Sequence, residues 1–420
     1  MKAIRKMSIC TLFLVVLVMP LLAQEIHDAA LQGDIAKIET LLTKNPELVN
    51  ARDNRDCSPL HFAVNEGHQK MVELLLAKGA DIHAKDVDGD EPIHWAAYAG
   101  RTEVAALLLS KGAKINARNN NGGTPLDWAI EREHDETAKF LLSKGGIETP
   151  IVDPEVHQLS KNIHRITFPY SMRTNIGVST GGDGILLVDT GFSRRAIGKI
   201  KATLQKLGKG DLKYIINTHL HGDHVAANEI GGDQVTRINY ENLEKLVTEG
   251  IISEANRPIR GGTDKIFETY YTMSFNGEEI RLIPYPGVHS DADVIIHFTG
   301  SGVVHMGDLL LSQSFPAVGG RVVEYLELLA TVIDVFPENT KYISGHGRDY
   351  TLNEVRNYQK MLLTTVEIVK DGMKAGKTVE QMRKEKLLKD YESWGEFLTF
   401  LNTNYWIDAI YQSYKDKLGG

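Results

Sequence analysis

The segment His219-Leu220-His221-Gly222-Asp223-His224 packs three imidazoles and a carboxylate into six residues. Side chains two apart on an extended loop point the same way. His219 and His221 can therefore grip one ion while Asp223 and His224 turn towards a second. Imidazole nitrogen mixed with carboxylate oxygen suits Zn²⁺, and Fe or Mn accept the same ligands. The bland alternative is a solvated loop with coincidental histidines, and a cluster this dense argues against it.

Such a loop needs a rigid support, and the flanking sequence supplies one. Lys213-Tyr214-Ile215-Ile216-Asn217 reads as a strand that runs straight into the cluster. Gly184-Ile185-Leu186-Leu187-Val188 is a buried strand stopping at Asp189, Val303-Val304-His305-Met306 stops before Asp308, and Lys341-Tyr342-Ile343-Ser344 stops before His346. Four apolar strands each deliver an acidic or metal-competent side chain to the loop that follows. This is the pattern expected when loops at one edge of a sheet converge on a site. His289 follows the turn Pro284-Tyr285-Pro286-Gly287-Val288, which is expected to fix its direction.

Together these residues resemble the metallo-β-lactamase superfamily over about 155–350. The resemblance implies an αββα sandwich with two divalent ions, Zn in the first instance. His219, His221 and His289 match the first metal site, and Asp223, His224 and His346 the second. Asp308 matches the carboxylate that bridges both, and Asp189 lies beneath the site to orient a ligand. With all seven ligand positions filled in the family's chain order, a live site is expected.

A water held between two such ions is acidic enough to be the nucleophile at neutral pH, so no Ser or Cys is required. The reaction implied is hydrolysis by a metal-bridging hydroxide, with Asp223 as the catalytic group that orients the nucleophile and shuttles its proton. One class of true β-lactamases has Cys where Asp308 stands and a Lys three positions on, where this chain has Leu311. The pattern is closer to hydroxyacylglutathione hydrolases, lactonases and ribonuclease-Z-like nucleases. Esters, lactones, thioesters and amides are the expected substrates, with β-lactams a minor candidate. The other histidines read as structural: His297 and His305 as buried strand residues, His157 and His164 as surface groups.

Upstream of this domain the chain repeats itself. Ile26-His27-Asp28-Ala29-Ala30, Leu60-His61-Phe62-Ala63-Val64, Ile93-His94-Trp95-Ala96-Ala97 and Leu126-Asp127-Trp128-Ala129-Ile130 recur at a spacing of 33 or 34 residues. Each is followed by a Leu-Leu pair, and the second and third by a Lys-Gly-Ala turn at 78–80 and 111–113. No unit buries its apolar face alone, so neighbours must stack. Ser58-Pro59-Leu60-His61 and Glu91-Pro92-Ile93-His94 make the stretch 25–149 resemble about four ankyrin repeats, an all-α solenoid. The resemblance implies a protein partner on a concave face and a loop-bracing role for His61 and His94. It also opens a second reading of the whole chain, as an ankyrin-based interaction protein whose metal domain is regulatory or incidental. Glu148-Thr149-Pro150 and Asp153-Pro154 read as a linker. The region 351–420 carries apolar residues at helical spacing (Val355, Tyr358, Leu362, Val366, Val369) and reads as a helical C-terminal extension.

Residues 1–23 place Lys2, Arg5 and Lys6 before an apolar run and end on Ala23, the form of a secretory signal peptide. The expected location is periplasmic or secreted, with no stable membrane span after cleavage. Losing those three cations takes the net charge from −8 to −11. A body this acidic is not expected to bind nucleic acid, because phosphate affinity comes from clustered Lys and Arg. Cys57 would then be the sole cysteine, and a disulfide scaffold is excluded.

Overall fold

The structure, a computed structural model, describes residues 23–53, 55–169, 173–240 and 263–417. The segment 1–22, which carries almost all of the expected signal peptide, lies outside the described residues. Among the described residues no helix is long and apolar enough to cross a membrane. The chain divides into two compact units, Met1–Pro150 and Ile151–Gly420.

The first unit is a stack of helix pairs: 23–32 with Ile35–Lys44, Pro59–Glu66 with Gln69–Ala77, Pro92–Tyr98 with Thr102–Ser110, and Pro125–Glu131 with Asp135–Ser143. Three of the leading helices start the same way. Proline sits in the first turn, where its missing N–H costs nothing, and a capping box closes the end. His61 Nδ1 accepts from the Ser58 N–H at 3.1 Å, and His94 Nδ1 from the Glu91 N–H at 3.0 Å. Each ring must then donate through Nε2, and it does: His61 to Asp90 O at 3.2 Å, His94 to Ala117 O at 3.1 Å. One imidazole thus caps its own helix and pins the next loop, which is why these residues are buried and neutral. Burial lowers both pKa values. Apolar residues of successive helix pairs, among them Ile38, Leu60, Leu75, Ile93 and Leu108, form one continuous core. Cys57 is buried there with its thiol pushed up to about 12, chiefly by burial, and is no nucleophile.

The second unit holds two sheets. The first runs in the order β1 (Glu155–Gln158), β2 (Ile163–Thr167), β3 (Asn175–Gly181), β4 (Gly184–Val188), β5 (Leu212–Ile216), β6 (Thr236–Tyr240), β7 (Thr263–Phe267). The second comprises β8 (Tyr271–Phe275), β9 (Glu278–Pro284), β10 (Val294–Phe298), β11 (Val303–His305), β12 (Lys341–Ile343) and β13 (Tyr350–Thr351), neighbouring one another in reverse order from β13 to β8. Period-two alternation assigns the faces. On β4, Leu186 and Val188 join Leu282, Ile296 and Val303 of the other sheet in a shared core, while Ile185 and Leu187 pack against Ile200 and Leu204 of helix Ile197–Leu207. The second sheet is covered by helices Val322–Val335, Leu352–Lys374 and Thr403–Tyr414 through Tyr325, Tyr358, Leu362, Val369 and Trp406. The result is helix, sheet, sheet, helix.

The helices beyond residue 351 are therefore part of that core. Trp406 is fully buried, stacks on Phe315 at 5.6 Å and donates its Nε1–H to Thr365 Oγ1 at 2.8 Å. The stretch read as a linker is also tied at both ends. Thr149 N–H bonds Asp127 Oδ1 at 2.8 Å in the first unit, and Ile151 packs with the helix-side core of the second. His164 corrects the sequence expectation: it is buried rather than on the surface, because β2 is an interior strand of its sheet, buried along its whole length. His305 is buried as expected, and His297 is half-buried against the Phe336 ring at 4.9 Å.

Candidate metal centre

Parallel pairing sets the location. β4 and β5 run parallel in one sheet, and β11 and β12 run parallel in the other. The loops after each pair leave at the same edge, bringing Asp189 beside 219–224 and Asp308 beside His346. Residues 218–221 form no regular element, and His221, itself extended, caps a one-turn helix, Gly222–Val225. The change from extended to helical backbone rotates Asp223 and His224 away from the direction of His219 and His221.

All seven sequence candidates come together, in two groups. Ligand atoms of His219, His221, His289 and Asp308 lie within 4.8 Å of one another, and so do those of Asp223, His224 and His346. Within the first group His221 Nδ1 is 3.1 Å from His219 Nε2 and 3.0 Å from His289 Nε2. In the second, His224 Nε2 is 3.4 Å from His346 Nε2, and Asp223 Oδ2 is 3.3 Å from His346 Nε2. Asp308 serves both groups. Its Oδ2 is 3.4 Å from His289 Nε2, and its Oδ1 is 3.2 Å from His224 Nε2 and 3.3 Å from His346 Nε2. These separations are close to the edge of about 3.3 Å for a tetrahedron of nitrogens at 2.0–2.1 Å from a zinc ion.

The hydrogen-bond network tests the fit independently. His289 Nδ1 faces the carbonyl of Ala317 at 2.8 Å, so Nδ1 carries the proton and Nε2 presents its lone pair. Thr218 Oγ1 donates to Asp189 Oδ2 at 2.8 Å and so accepts from His219 Nδ1 at 3.0 Å, which again leaves Nε2 bare. His224 Nδ1 donates to Asp189 Oδ2 at 2.8 Å. Three rings thus turn their Nε2 towards the same space. Asp308 Oδ1 is buried and meets no partner in hydrogen-bond geometry. Buried imidazole nitrogens and a buried carboxylate converging in this way are the donor set of a cation site. The residues of each group could hold a metal ion.

The electrostatics set the two groups apart. Burial, then His224, drives the His219 pKa well down, and burial with His289 lowers His221. Burial works against charge on His224, His346 and Asp308 too, but there the mutual attraction wins. Both rings are held above the ordinary imidazole value, and Asp308 is held well below the usual carboxylate range, by His346 and His224. The first group is built to stay neutral, and the second carries charge of both signs.

Five residues that the sequence reading passed over hold this arrangement. Asp293 Oδ2 accepts from the N–H groups of His289 at 2.8 Å and Ser290 at 2.7 Å, fixing the His289 turn. Its position four residues after His289, in His289-Ser290-Asp291-Ala292-Asp293, was a signal available in the sequence. Thr218 links Asp189 to His219, and Thr174 pairs its backbone with that of His346. Asn175 contacts the His346 loop from 169 residues away, and no spacing announces it. Gly345 has a steric reason: a Cβ there would lie 1.9 Å from Asp308 Oδ1.

Comparison with known proteins places these observations in families. Residues 172–231, which contain Asp189 and the cluster 219–224, match the metallo-beta-lactamase superfamily. Residues 82–153 match ankyrin repeats in three copies, and residues 55–87 a further ankyrin repeat. A hydroxyacylglutathione hydrolase of Gloeothece citriformis (strain PCC 7424) is 28% identical over 158 residues, 36% of this chain and 56% of that protein. The NAD-capped RNA hydrolase NUDT12 of Homo sapiens is 37% identical over 57 residues, 14% of this chain and 12% of that one. A transient receptor potential cation channel subfamily A member 1 homolog of Caenorhabditis elegans is 40% identical over 55 residues, 13% of this chain and 4% of that one. The chain thus spans less than two thirds of each of these relatives. The chain is thus similar to ankyrin repeats over 55–153 and to the metallo-beta-lactamase superfamily over 172–231.

Proposed function

We propose that this chain, a metallo-β-lactamase superfamily hydrolase behind ankyrin repeats, works with two divalent ions on a carboxylic ester, lactone, thioester or amide. The observation that carries the reading is Asp308, whose two oxygens each face a separate group of imidazoles. We assign His219, His221 and His289 to the first ion, Asp223, His224 and His346 to the second, and Asp308 to both. Ions so held polarise a substrate oxygen and make water a competent nucleophile near neutral pH.

The chain's own groups do the rest. Asp223 is the most solvent-accessible carboxylate of the set, its side chain 23% exposed against 8% for Asp308. It is therefore the group placed to take a proton at Oδ1 or Oδ2 and release it towards solvent. Asp189 holds the Nδ1 proton of His224 and keeps that ring oriented. The hydroxyacylglutathione hydrolase likeness supports acyl transfer to water as the reaction class. The ankyrin array supports a protein partner, and the pattern of residues 1–23 supports export to the periplasm or beyond.

The test is metal analysis of the purified chain, combined with parallel assays on lactone, thioester, ester, β-lactam and phosphodiester substrates. About two equivalents of metal and turnover confined to acyl compounds are expected. Well under one equivalent after reconstitution would refute the hydrolase reading and leave an interaction protein with an idle site.

A further inference from the structure

We infer that Asn175, at the start of β3, is the positioning residue that presents His346 to the second ion, resting on the reading of His346 as a ligand.

His346 sits in a loop, 344–348, whose backbone forms no regular ladder of its own. Buried carbonyls left without donors are costly, and here the carbonyls of buried residues 344–347 and of exposed Arg348 are satisfied by few groups. Asn175 Nδ2 donates to Ser344 O at 2.8 Å and to Gly347 O at 3.0 Å. The Asn175 N–H donates to Gly345 O at 2.8 Å. The single hydroxyl proton of Ser344 is shared between His346 O at 2.7 Å and Arg348 O at 2.8 Å, and His346 O also accepts from the Ser312 N–H at 3.1 Å. Asn175 therefore ties down both sides of His346 with one side chain and one backbone amide.

The amide is itself held in a single orientation. Its Oδ1 accepts from Thr167 Oγ1 at 2.5 Å and from Arg165 Nη1 at 3.1 Å, so Nδ2 must face the loop. Arg165 also reaches Gly347 O at 3.2 Å, and its Nε lies 2.9 Å from Asp349 Oδ1. Asn175 is fully buried, and its side chain hydrogen-bonds Thr167, Arg165, Ser344 and Gly347. A general core role would need only that the site be filled. This one needs two donors and an acceptor at defined points, which an amide provides and an isosteric carboxylate or an apolar residue does not.

The experiment is cobalt titration of the metal-free chain, read by visible absorption and by metal analysis, for wild type and Asn175→Ala. Val178→Ala, a cavity on the same strand away from the loop, is the control for lost stability. The expected result is that Asn175→Ala keeps the first equivalent at wild-type affinity. The second should bind about 10–100-fold more weakly, as is typical when a ligand's supporting hydrogen bonds are removed. Val178→Ala should keep both. Where Asn175→Ala does not fold, Ser344→Ala, which removes the hydroxyl shared by His346 O, Arg348 O and Asn175 Nδ2 but leaves the Ser312 N–H on His346 O, is expected to show the same selective loss. A folded Asn175→Ala, or failing that Ser344→Ala, with both equivalents at wild-type affinity would overturn the inference while leaving the hydrolase reading intact. Equal weakening by Val178→Ala would overturn it too, by showing the effect to be one of stability. A wild-type chain that takes up no cobalt would overturn both readings.

Discussion

The Nδ1 of His224 lies 2.8 Å from Oδ2 of Asp189, and neither side chain is exposed to solvent. The same carboxylate accepts from the N–H and hydroxyl of Thr218 at 2.8 Å each, so it also supports the residue before His219. Asp189 adopts φ +61°, an uncommon conformation for a non-glycine residue. The backbone bends sharply here, and the bend places one acid under both halves of the site.

Asp189→Asn is therefore expected to weaken metal binding at both positions without emptying either. The amide keeps the size but removes the charge that holds the His224 proton. A loss of about 10–100-fold in affinity is expected, measured by competition with a chromophoric chelator. Wild-type affinity in the variant would reduce Asp189 to a turn residue.

Asp308→Ala is expected to release the second ion preferentially, since the first keeps three histidines. Turnover should fall by two orders of magnitude or more, on the order of 3 kcal/mol of transition-state stabilisation. Asp308→Cys supplies a thiolate that ligates one ion but bridges less readily, so partial metal recovery without full activity is expected. If Asp308 only capped a turn, Ala would lower the melting temperature and leave stoichiometry and turnover per folded molecule unchanged.

Gly345→Ala tests the same carboxylate from the outside. The added methyl would overlap Asp308 Oδ1 and crowd the Gly307 carbonyl carbon at 2.8 Å, so Asp308 and its backbone must shift. The expected phenotype is that of Asp308→Ala in metal stoichiometry, with helical content retained by circular dichroism. A fully metallated, active Gly345→Ala would show that the Asp308 position is not critical.

In the ankyrin unit, burial drives the Asp90 carboxyl up to about 7, with Asp86 adding to the shift and the Trp128 indole donor opposing it. The folded value lies above the unfolded one, near 3.8, so the native state holds the proton more tightly. The contribution of Asp90 to stability is then full below about pH 4 and lost as pH rises towards about 7. Asp90→Asn keeps an acceptor for Trp128 and cannot ionise. The difference in unfolding free energy between wild type and variant should change by roughly 2–4 kcal/mol across that window. Urea titrations of the repeat transition at pH 4.5 and 8 measure it, and an unchanged difference would mean that Asp90 stays ionised throughout.

Much of this molecule was legible in order of residues alone, wherever the determining interactions are local or periodic. The 33-residue period specifies stacked helix pairs because each pair can bury its apolar face only against a copy of itself. The strand ends before Asp189, His219, Asp308 and His346 were visible because strands announce themselves by short apolar runs, and the spacing in 219–224 carries its own division of labour between two ions. What tertiary structure alone decided is contact between distant segments. The burial of His164 depends on which strands flank β2. The hold of Asn175 on a loop 169 residues away, and the split of the Asp308 oxygens between His289 and His346, arise from how two sheets and their loops close at one edge. Neither pairing leaves a periodic or short-range trace, because hydrogen bonds and ligand geometry act through space, and only the packed sandwich brings those atoms within 3–4 Å.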